Sequence, residues 1–364
     1  MRTGSVDLPL HGGQCPPWLF ERMTKLGRAI LMLLVREEGP AGVLKKLADP
    51  FWFQALGCVM GFDWHSSGLT TTVCGALKEG LRGCEGELGL FIAGGKGKTS
   101  RKTPQDIITY AEKFGLPNNT ERLVYASKMS AKVDNTAVQD GYQLYHHTFI
   151  FTAKGEWAVV QQGMNSTARR ARRYHWLGEK VSDFVVEPHS AICCDQKEKR
   201  VLNLVAGPSE KSRNTIAALG CLNPERVTRE YTKLVLPSRH SLYMEHLQPS
   251  SLQRVLLKTY ERQPADFEAI LSIPGVGPKT IRALSLVAEL AYGARPSYQD
   301  PAKFSFAHGG KDGYPYPVNR SVYDKTIDIL EQAIKEAKLG REEKLQAFRR
   351  LQCLTVFSAP ARTT

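Results

Sequence analysis

The chain has 364 residues, of which 42% are hydrophobic, and its 49 Lys and Arg residues against 36 Asp and Glu residues give a formal net charge of +13. This length and apolar content exclude a disordered chain and predict two or three domains. The positive excess favours a polyanion or an anionic surface as partner, although charge also serves solubility.

The first 205 residues are predicted to form an α+β domain. Apolar residues with helical spacing run over 17–36 and end at Gly39-Pro40, and a second helix is expected over 41–48. Residues 88–93 are typical of a buried strand. Thr103-Pro104 then supplies an N-cap and a first-turn proline for the next helix.

The strongest β signal is a hairpin over residues 147–152 and 156–161, joined by a loop that ends in Gly155. Polar side chains that could bind a ligand collect at its open end. Pairing outward from the loop predicts the cross-strand pairs His147 with Gln161, and His146 with Gln162. Two more short strands are expected over 181–186 and 201–205.

A second domain, all-α, is predicted over 206–352, followed by a tail over 353–364. Its helices are expected over 249–262, 266–272, 279–292, 321–339 and 341–352. Within it, 264–292 is typical of a helix-hairpin-helix, because Pro274-Gly-Val-Gly277 separates two apolar helices. The glycines permit a tight turn that brings backbone N–H groups against a phosphate. The predicted contacts are Gly275, Gly277, Lys279, Thr280 and Arg282, and the alternative is a plain helix–helix turn.

Acidic and imidazole side chains concentrate in the first domain and predict a divalent-metal site, with Mn²⁺ or Mg²⁺ favoured and no nucleotide cofactor expected. The predicted metal ligands are Asp63, Asp134, Glu187 and His189. The predicted catalytic residues are Asp63, His65, Asp140, His146, His147, Gln161 and His175. Because no His-Glu-x-x-His or similar spacing is present, a polar structural core is the alternative.

Two basic stretches are predicted to contact nucleic acid, with DNA favoured over RNA. The first is Arg169, Arg170, Arg172 and Arg173, for which a solvated basic face is the alternative. The second is the loop 94–102, which contains Lys96 and Lys98. The loop does not predict ATP binding, because Ile92 stands where a phosphate-binding loop needs glycine and the next helix begins too late.

The eight cysteines contain no Cys-x-x-Cys pair, so we expect reduced core thiols in a cytoplasmic protein. The N-terminal residues lack the pattern of a signal peptide, and no apolar run is long enough to span a bilayer. No membrane partner is therefore expected, and a homo-oligomer is an open alternative.

Several long motifs resemble a bacterial and archaeal family catalogued as domain of unknown function 763. They include Phe62-Asp-Trp-His-Ser-Ser-Gly68, Gln139-Asp-Gly-Tyr-Gln-Leu-Tyr-His-His147, Val160-Gln-Gln-Gly-Met-Asn165 and Ala171-Arg-Arg-Tyr-His-Trp176. The resemblance covers nearly the whole chain. It implies a DNA-processing role, with nuclease activity as one form of it, and transfers no catalytic residues.

The bend near Lys279 separately resembles that of DNA repair glycosylases, whose bifunctional members place a Schiff-base lysine at this position. Such enzymes also need an aspartate a little under twenty residues later, whereas this chain has Ser297 there and Asp300 somewhat late. Three hypotheses follow: a divalent-metal-dependent nuclease, a DNA glycosylase or abasic-site lyase that uses Lys279, and a non-enzymatic DNA-binding protein. The first is preferred.

Overall fold

The structure is a computed structural model that describes residues 8, 10, 15–62, 66–116, 119–194, 197–236, 240, 248–302, 320–337 and 339–356. Four helices precede the first strand: α1 (Pro17–Ala48), α2 (Pro50–Met60), α3 (Ser67–Leu81) and α4 (Glu85–Leu88). Gly39 breaks α1 with a φ of 71°. The two helices expected over 17–36 and 41–48 are therefore arms of one kinked helix.

A five-stranded antiparallel sheet forms the centre of the molecule. Its strands are β1 (Leu90–Lys96), β3 (Gln143–Thr152), β4 (Trp157–Asn165), β5 (Arg170–Leu177) and β6 (Ala191–Cys193), hydrogen-bonded in that order. A separate ribbon pairs β2 (Val138–Gln139) with β7 (Leu202–Asn203). The predicted hairpin register is confirmed, because His147 lies opposite Gln161 and His146 opposite Gln162.

The prediction of a strand over 181–186 was wrong. Those residues form turns, and the neighbouring strand is β5, at the arginine-rich stretch. Val185 N–H donates to the Asp183 carboxylate at 2.6 Å, which holds a turn there. The apolar side chains of this segment still reach the core, since Phe184 stacks on Trp157 with ring centroids 6.0 Å apart.

The remaining helices cover both faces of the sheet. Between β1 and β2 lie α5 (Thr103–Phe114), α6 (Thr120–Lys132) and one π-helical turn (Val133–Ala137). After β7 come α7 (Glu210–Gly220), α8 (Pro224–Thr232), α9 (Pro249–Arg262), α10 (Phe267–Ser272), α11 (Pro278–Tyr292), α12 (Arg320–Glu336) and α13 (Arg341–Val356). The chain is thus mixed α/β with helices at its carboxyl end, as predicted.

Two hydrophobic clusters account for most of the core, one on each face of the sheet. The first face, which carries Phe149 and Trp176, packs with α5, α6 and the helices α7 to α11. The second face, which carries Ile150 and Val160, packs with α1, α2, α3, α12 and α13. Each cluster therefore contains residues from both sides of position 205.

No helix in the described ranges combines the length and apolar character needed to cross a membrane. Seven cysteines are free thiols in the structure: Cys15, Cys58, Cys74, Cys84, Cys193, Cys194 and Cys221. Burial raises the pKa of Cys74 and of Cys193 to about 12. These two thiols are therefore protonated at neutral pH and are poor nucleophiles.

Candidate nucleic-acid interface

The bend between α10 and α11, residues 273–279, lies at the surface. Asp266 caps α10 by accepting from the Ala269 N–H at 2.7 Å, and Pro278 occupies the first turn of α11. Gly275 has a φ of 96°, a left-handed conformation that favours glycine. Gly275 and Lys279 are exposed, whereas Val276 is buried and anchors the bend in the core.

Two carbonyl groups of the bend are held by side chains of α6 and β2. The Lys132 ammonium, at the end of α6, donates to the Val276 carbonyl. The Gln139 amide, on β2, donates to the Pro278 carbonyl at 2.9 Å. In a trans peptide the C=O and N–H point in opposite directions. Because both oxygens point into the protein, the N–H groups of Gly277 and Lys279 point away from it.

These outward N–H groups have no competing acceptor. Within the described part of the chain, the amides of Gly275, Gly277 and Lys279 donate no hydrogen bond. They also lie at the positive end of α11, a helix of 15 residues. The bend thus presents several N–H donors to solvent, and the Val276 and Pro278 carbonyl oxygens, which would repel an anion, face inward. This arrangement is suited to binding an anion.

Cations surround this row of donors. Lys279 is exposed, and the Nζ of exposed Lys258 lies 3.8 Å from where a β-carbon on Gly275 would stand. Arg282 is half-buried and donates from Nε to the Gln139 side-chain oxygen at 2.8 Å. Thr280, which was expected to contact nucleic acid, lies on the buried side of α11. The side chains available to a ligand are therefore those of Lys258 and Lys279.

The basic segment, residues 96–102, provides a second positive surface. Lys96, Lys98, Arg101 and Lys102 are exposed, and none pairs with a carboxylate in the described ranges. Lys96 lies opposite His146, near the start of β3. Gln139, which holds the bend, precedes that same strand by a few residues. The bend and the basic segment therefore lie toward the same end of the sheet.

The four arginines around β5 differ from the expected basic surface. Arg169 is exposed and Arg170 half-buried. Arg172 and Arg173 are fully buried and point to opposite faces of the sheet, because side chains alternate along a strand. Arg172 contacts Asp140 at 2.9 Å and Asp300 at 2.7 Å. Arg173 donates to Gln54 at 2.8 Å, so neither guanidinium is presented to a phosphate.

A buried hydrogen-bonded chain lies on the first face of the sheet. The Gln161 amide nitrogen donates to the Asp134 carboxylate and to the Ser130 carbonyl, so its oxygen faces His147 Nδ1 at 2.7 Å. His147 therefore carries its proton on Nδ1. Its Nε2 accepts from the Ser127 hydroxyl at 2.9 Å. Burial lowers the pKa of His147, and this effect outweighs the hydrogen bond to Gln161, which raises it. The imidazole is therefore neutral at pH 7.

Asp134 is the centre of this chain of contacts. Its carboxylate accepts from the Trp176 indole at 2.9 Å and pairs with His189. Its oxygens are thus occupied by protein groups and leave little room for a metal. Glu187, another predicted metal ligand, is exposed and has a φ of 45°.

His146 and His175 lie on the opposite face from His147. His146 shares a hydrogen bond with the Thr148 hydroxyl at 2.9 Å, and His175 Nε2 accepts from Arg173 at 2.9 Å. Burial, with smaller contributions from His147 and Lys96, lowers the pKa of His146 to about 3. The expected cluster of histidines is therefore divided between two buried layers.

The residues expected to form the metal site are described only in part. Asp63 and His65 lie outside the described residues. Among the residues that are described, no group of three or more His, Cys, Asp or Glu side chains could hold a metal ion. Asp140, expected to be catalytic, accepts from Tyr174 at 2.6 Å beside Arg172 and is fully enclosed.

Sequence reasoning did not identify four residues that shape these sites. Lys132, Ser127 and Lys258 lie on ordinary amphipathic helices, so nothing in their local sequence marks them. Asp300 was considered only as a partner of Lys279, whereas it forms a buried ion pair with Arg172. That pairing weakens the lyase interpretation, because the nearest candidate carboxylate is already engaged.

Comparison with known proteins identifies one family. The family described as "Protein of unknown function (DUF763)" matches residues 4–318. No curated protein and no solved structure matches the chain.

Proposed function

Because the chain belongs to the DUF763 family, whose function is unknown, its role must follow from its own residues, and we propose that it binds the sugar–phosphate backbone of DNA through the bend. The observation that carries this proposal is the orientation of the Val276 and Pro278 peptides. The Val276 and Pro278 oxygens are held inside the protein, so the N–H groups at the other end of these peptides, those of Gly277 and Lys279, form an outward row of donors. Lys258 and Lys279 add positive charge beside that row.

Backbone N–H groups and lysines contact phosphates without reading bases. We therefore infer binding with little sequence preference. The basic segment supports a contact that extends beyond one phosphate, because its cations lie toward the same end of the sheet and are unpaired in the described structure. A net charge of +13 favours the same partner.

The test is titration of a labelled DNA duplex and a labelled single strand with the protein, followed by fluorescence anisotropy at several salt concentrations. Lys279→Ala should weaken binding and reduce the slope of log K against log salt by about 0.9, the value for one lost phosphate contact. Lys154→Ala is the matched control. Lys154 is an exposed lysine in the hairpin loop, at the other end of β3, so its loss should leave the slope unchanged. Equal slopes for wild type and Lys279→Ala would contradict the proposal.

A second candidate is nuclease activity, in the form of the divalent-metal-dependent enzyme expected from the sequence. The observation behind it is that Gln161 orients His147 so that its Nε2 accepts from the Ser127 hydroxyl, the hydrogen bond of a general base with a nucleophile, although all three side chains are buried in this structure. Labelled single-stranded, duplex and branched DNA should be incubated with Mg²⁺, Mn²⁺ or Zn²⁺. Cleavage that is lost in His147→Gln would support this candidate, and intact substrates with every ion would exclude it under those conditions.

A further inference from the structure

Lys132 is a cation whose partner is a peptide group. Its half-buried side chain extends from the last residue of α6, and its Nζ donates to the Val276 carbonyl. No carboxylate in the described ranges lies within ion-pair distance of it. The positive charge is therefore held directly behind the bend.

The carbonyl that Lys132 contacts belongs to the same peptide unit as the Gly277 N–H. A hydrogen bond to the oxygen of an amide polarises the amide and strengthens the donor at its other end. A charged donor has a larger effect than a neutral one. The adjacent Pro278–Lys279 peptide has the same arrangement with a neutral donor, because Gln139 holds its oxygen at 2.9 Å.

We propose that Lys132 is a positioning residue of the phosphate site, which fixes the bend and strengthens the Gly277 donor without contacting the phosphate itself. This inference rests on the proposed function. It extends the site from the bend into α6, which packs on the first face of the sheet. Its charge contributes to affinity through one intervening peptide, whereas the charge of Lys279 acts directly.

Three substitutions separate charge from hydrogen bonding. Lys132→Arg keeps a charged donor, Lys132→Gln keeps a donor without charge, and Lys132→Met removes both. We expect Lys132→Arg to bind duplex DNA within about twofold of wild type, and Lys132→Gln and Lys132→Met to bind about three- to tenfold more weakly in low salt. The salt slope of Lys132→Gln should stay close to that of wild type, while Lys279→Ala loses about 0.9.

The measurement is anisotropy with the full-length protein and one labelled duplex, alongside thermal unfolding of each variant. If Lys132→Met is poorly folded, the comparison of Lys132→Arg with Lys132→Gln remains decisive. Wild-type affinity in Lys132→Gln would show that the hydrogen bond alone matters and would overturn the inference. If the salt slope of Lys132→Gln fell by about 0.9, as expected for Lys279→Ala, Lys132 would contact a phosphate directly, and this result would also overturn the inference. Both of these results leave DNA binding intact, whereas absence of binding by wild type would reject the proposed function as well.

Discussion

His146 and His147 are adjacent in the chain and have different surroundings. His147 joins the Ser127–Gln161–Asp134 chain on one face of the sheet. His146 lies on the other face, where its Nδ1 has no hydrogen-bond partner among the described groups. Two residues that suggested one site are thus separated by the thickness of the sheet, because successive side chains of a strand point to opposite sides.

Asp300 and Arg172 form the ion pair whose loss we expect to be most damaging at the residue scale. Both side chains are almost fully buried, and the guanidinium donates to both oxygens of the carboxylate, at 3.0 and 2.7 Å. Asp300→Asn should reduce the free energy of unfolding by up to about 3 kcal/mol, since the buried guanidinium then keeps only the Asp140 carboxylate as a charged partner. Denaturant unfolding measures this value. The exposed pair Lys25–Glu21 is the control, and Glu21→Gln should leave stability nearly unchanged because water screens this pair.

The bend is the element on which the proposed function depends. Gly275 and Gly293 lie at opposite ends of α11, with φ values of 96° and 65°, and both are exposed. A β-carbon at Gly293 would meet nothing within 4 Å, and at Gly275 it would approach only Lys258 and Val255. Substitution by alanine should therefore cause similar backbone strain at the two positions and no steric clash at either.

We predict that Gly275→Ala and Gly293→Ala each cost about 1 kcal/mol of stability, because both force alanine into a left-handed conformation. Only Gly275→Ala should also weaken DNA binding, since Gly275 lies in the bend that carries the N–H donors, whereas Gly293 lies at the far end of α11. Parallel measurements of unfolding and of anisotropy distinguish the two effects. Equal DNA affinity of both variants would indicate that the geometry at Gly275 does not matter for binding.

The predicted division at residue 205 can be tested at the scale of the whole molecule. Because both clusters of the core include residues from each side of that position, a fragment of residues 1–205 should expose much of the first sheet face. We expect such a fragment to aggregate or to lack cooperative thermal unfolding, with weak near-ultraviolet circular dichroism. A cooperative transition in the isolated fragment would instead support an independent domain.

The stability of the whole molecule should fall in mild acid. Burial lowers the folded-state pKa of His146 to about 3 and also lowers the pKa of His147 and His175. The unfolded chain then binds more protons than the folded chain below the ordinary histidine pKa of about 6.5. The stabilisation that the folded state gains from keeping these histidines neutral is therefore complete above pH 6.5 and is lost as the pH falls toward 3.

We expect the free energy of unfolding to decrease between pH 6.5 and 5 by up to about 1.4 kcal/mol per pH unit for each of these histidines. Urea unfolding at several pH values gives the slope. His146→Gln should reduce that slope by the equivalent of one proton. A profile that is flat over this range would mean that the histidines are not buried in their neutral form.

The sequence by itself determined the local features of this protein. Pro274-Gly-Val-Gly277 required a tight bend between apolar helices, and the loop ending in Gly155 set the hairpin register that pairs His147 with Gln161. Both follow from backbone preferences that act over a few residues. The strand over 170–177 was not predicted because its three arginines are typical of a solvated surface, yet two of them, Arg172 and Arg173, are buried by partners distant in the chain.

Only the tertiary structure decided which side chains meet. Lys132 reaches Val276 across 144 positions, and Arg172 reaches Asp300 across 128. It also decided that the histidines belong to two layers and that the carbonyls of the bend face inward. These outcomes depend on how helices pack against the two faces of the sheet, and burial energy, which is non-directional, does not specify such contacts from local sequence.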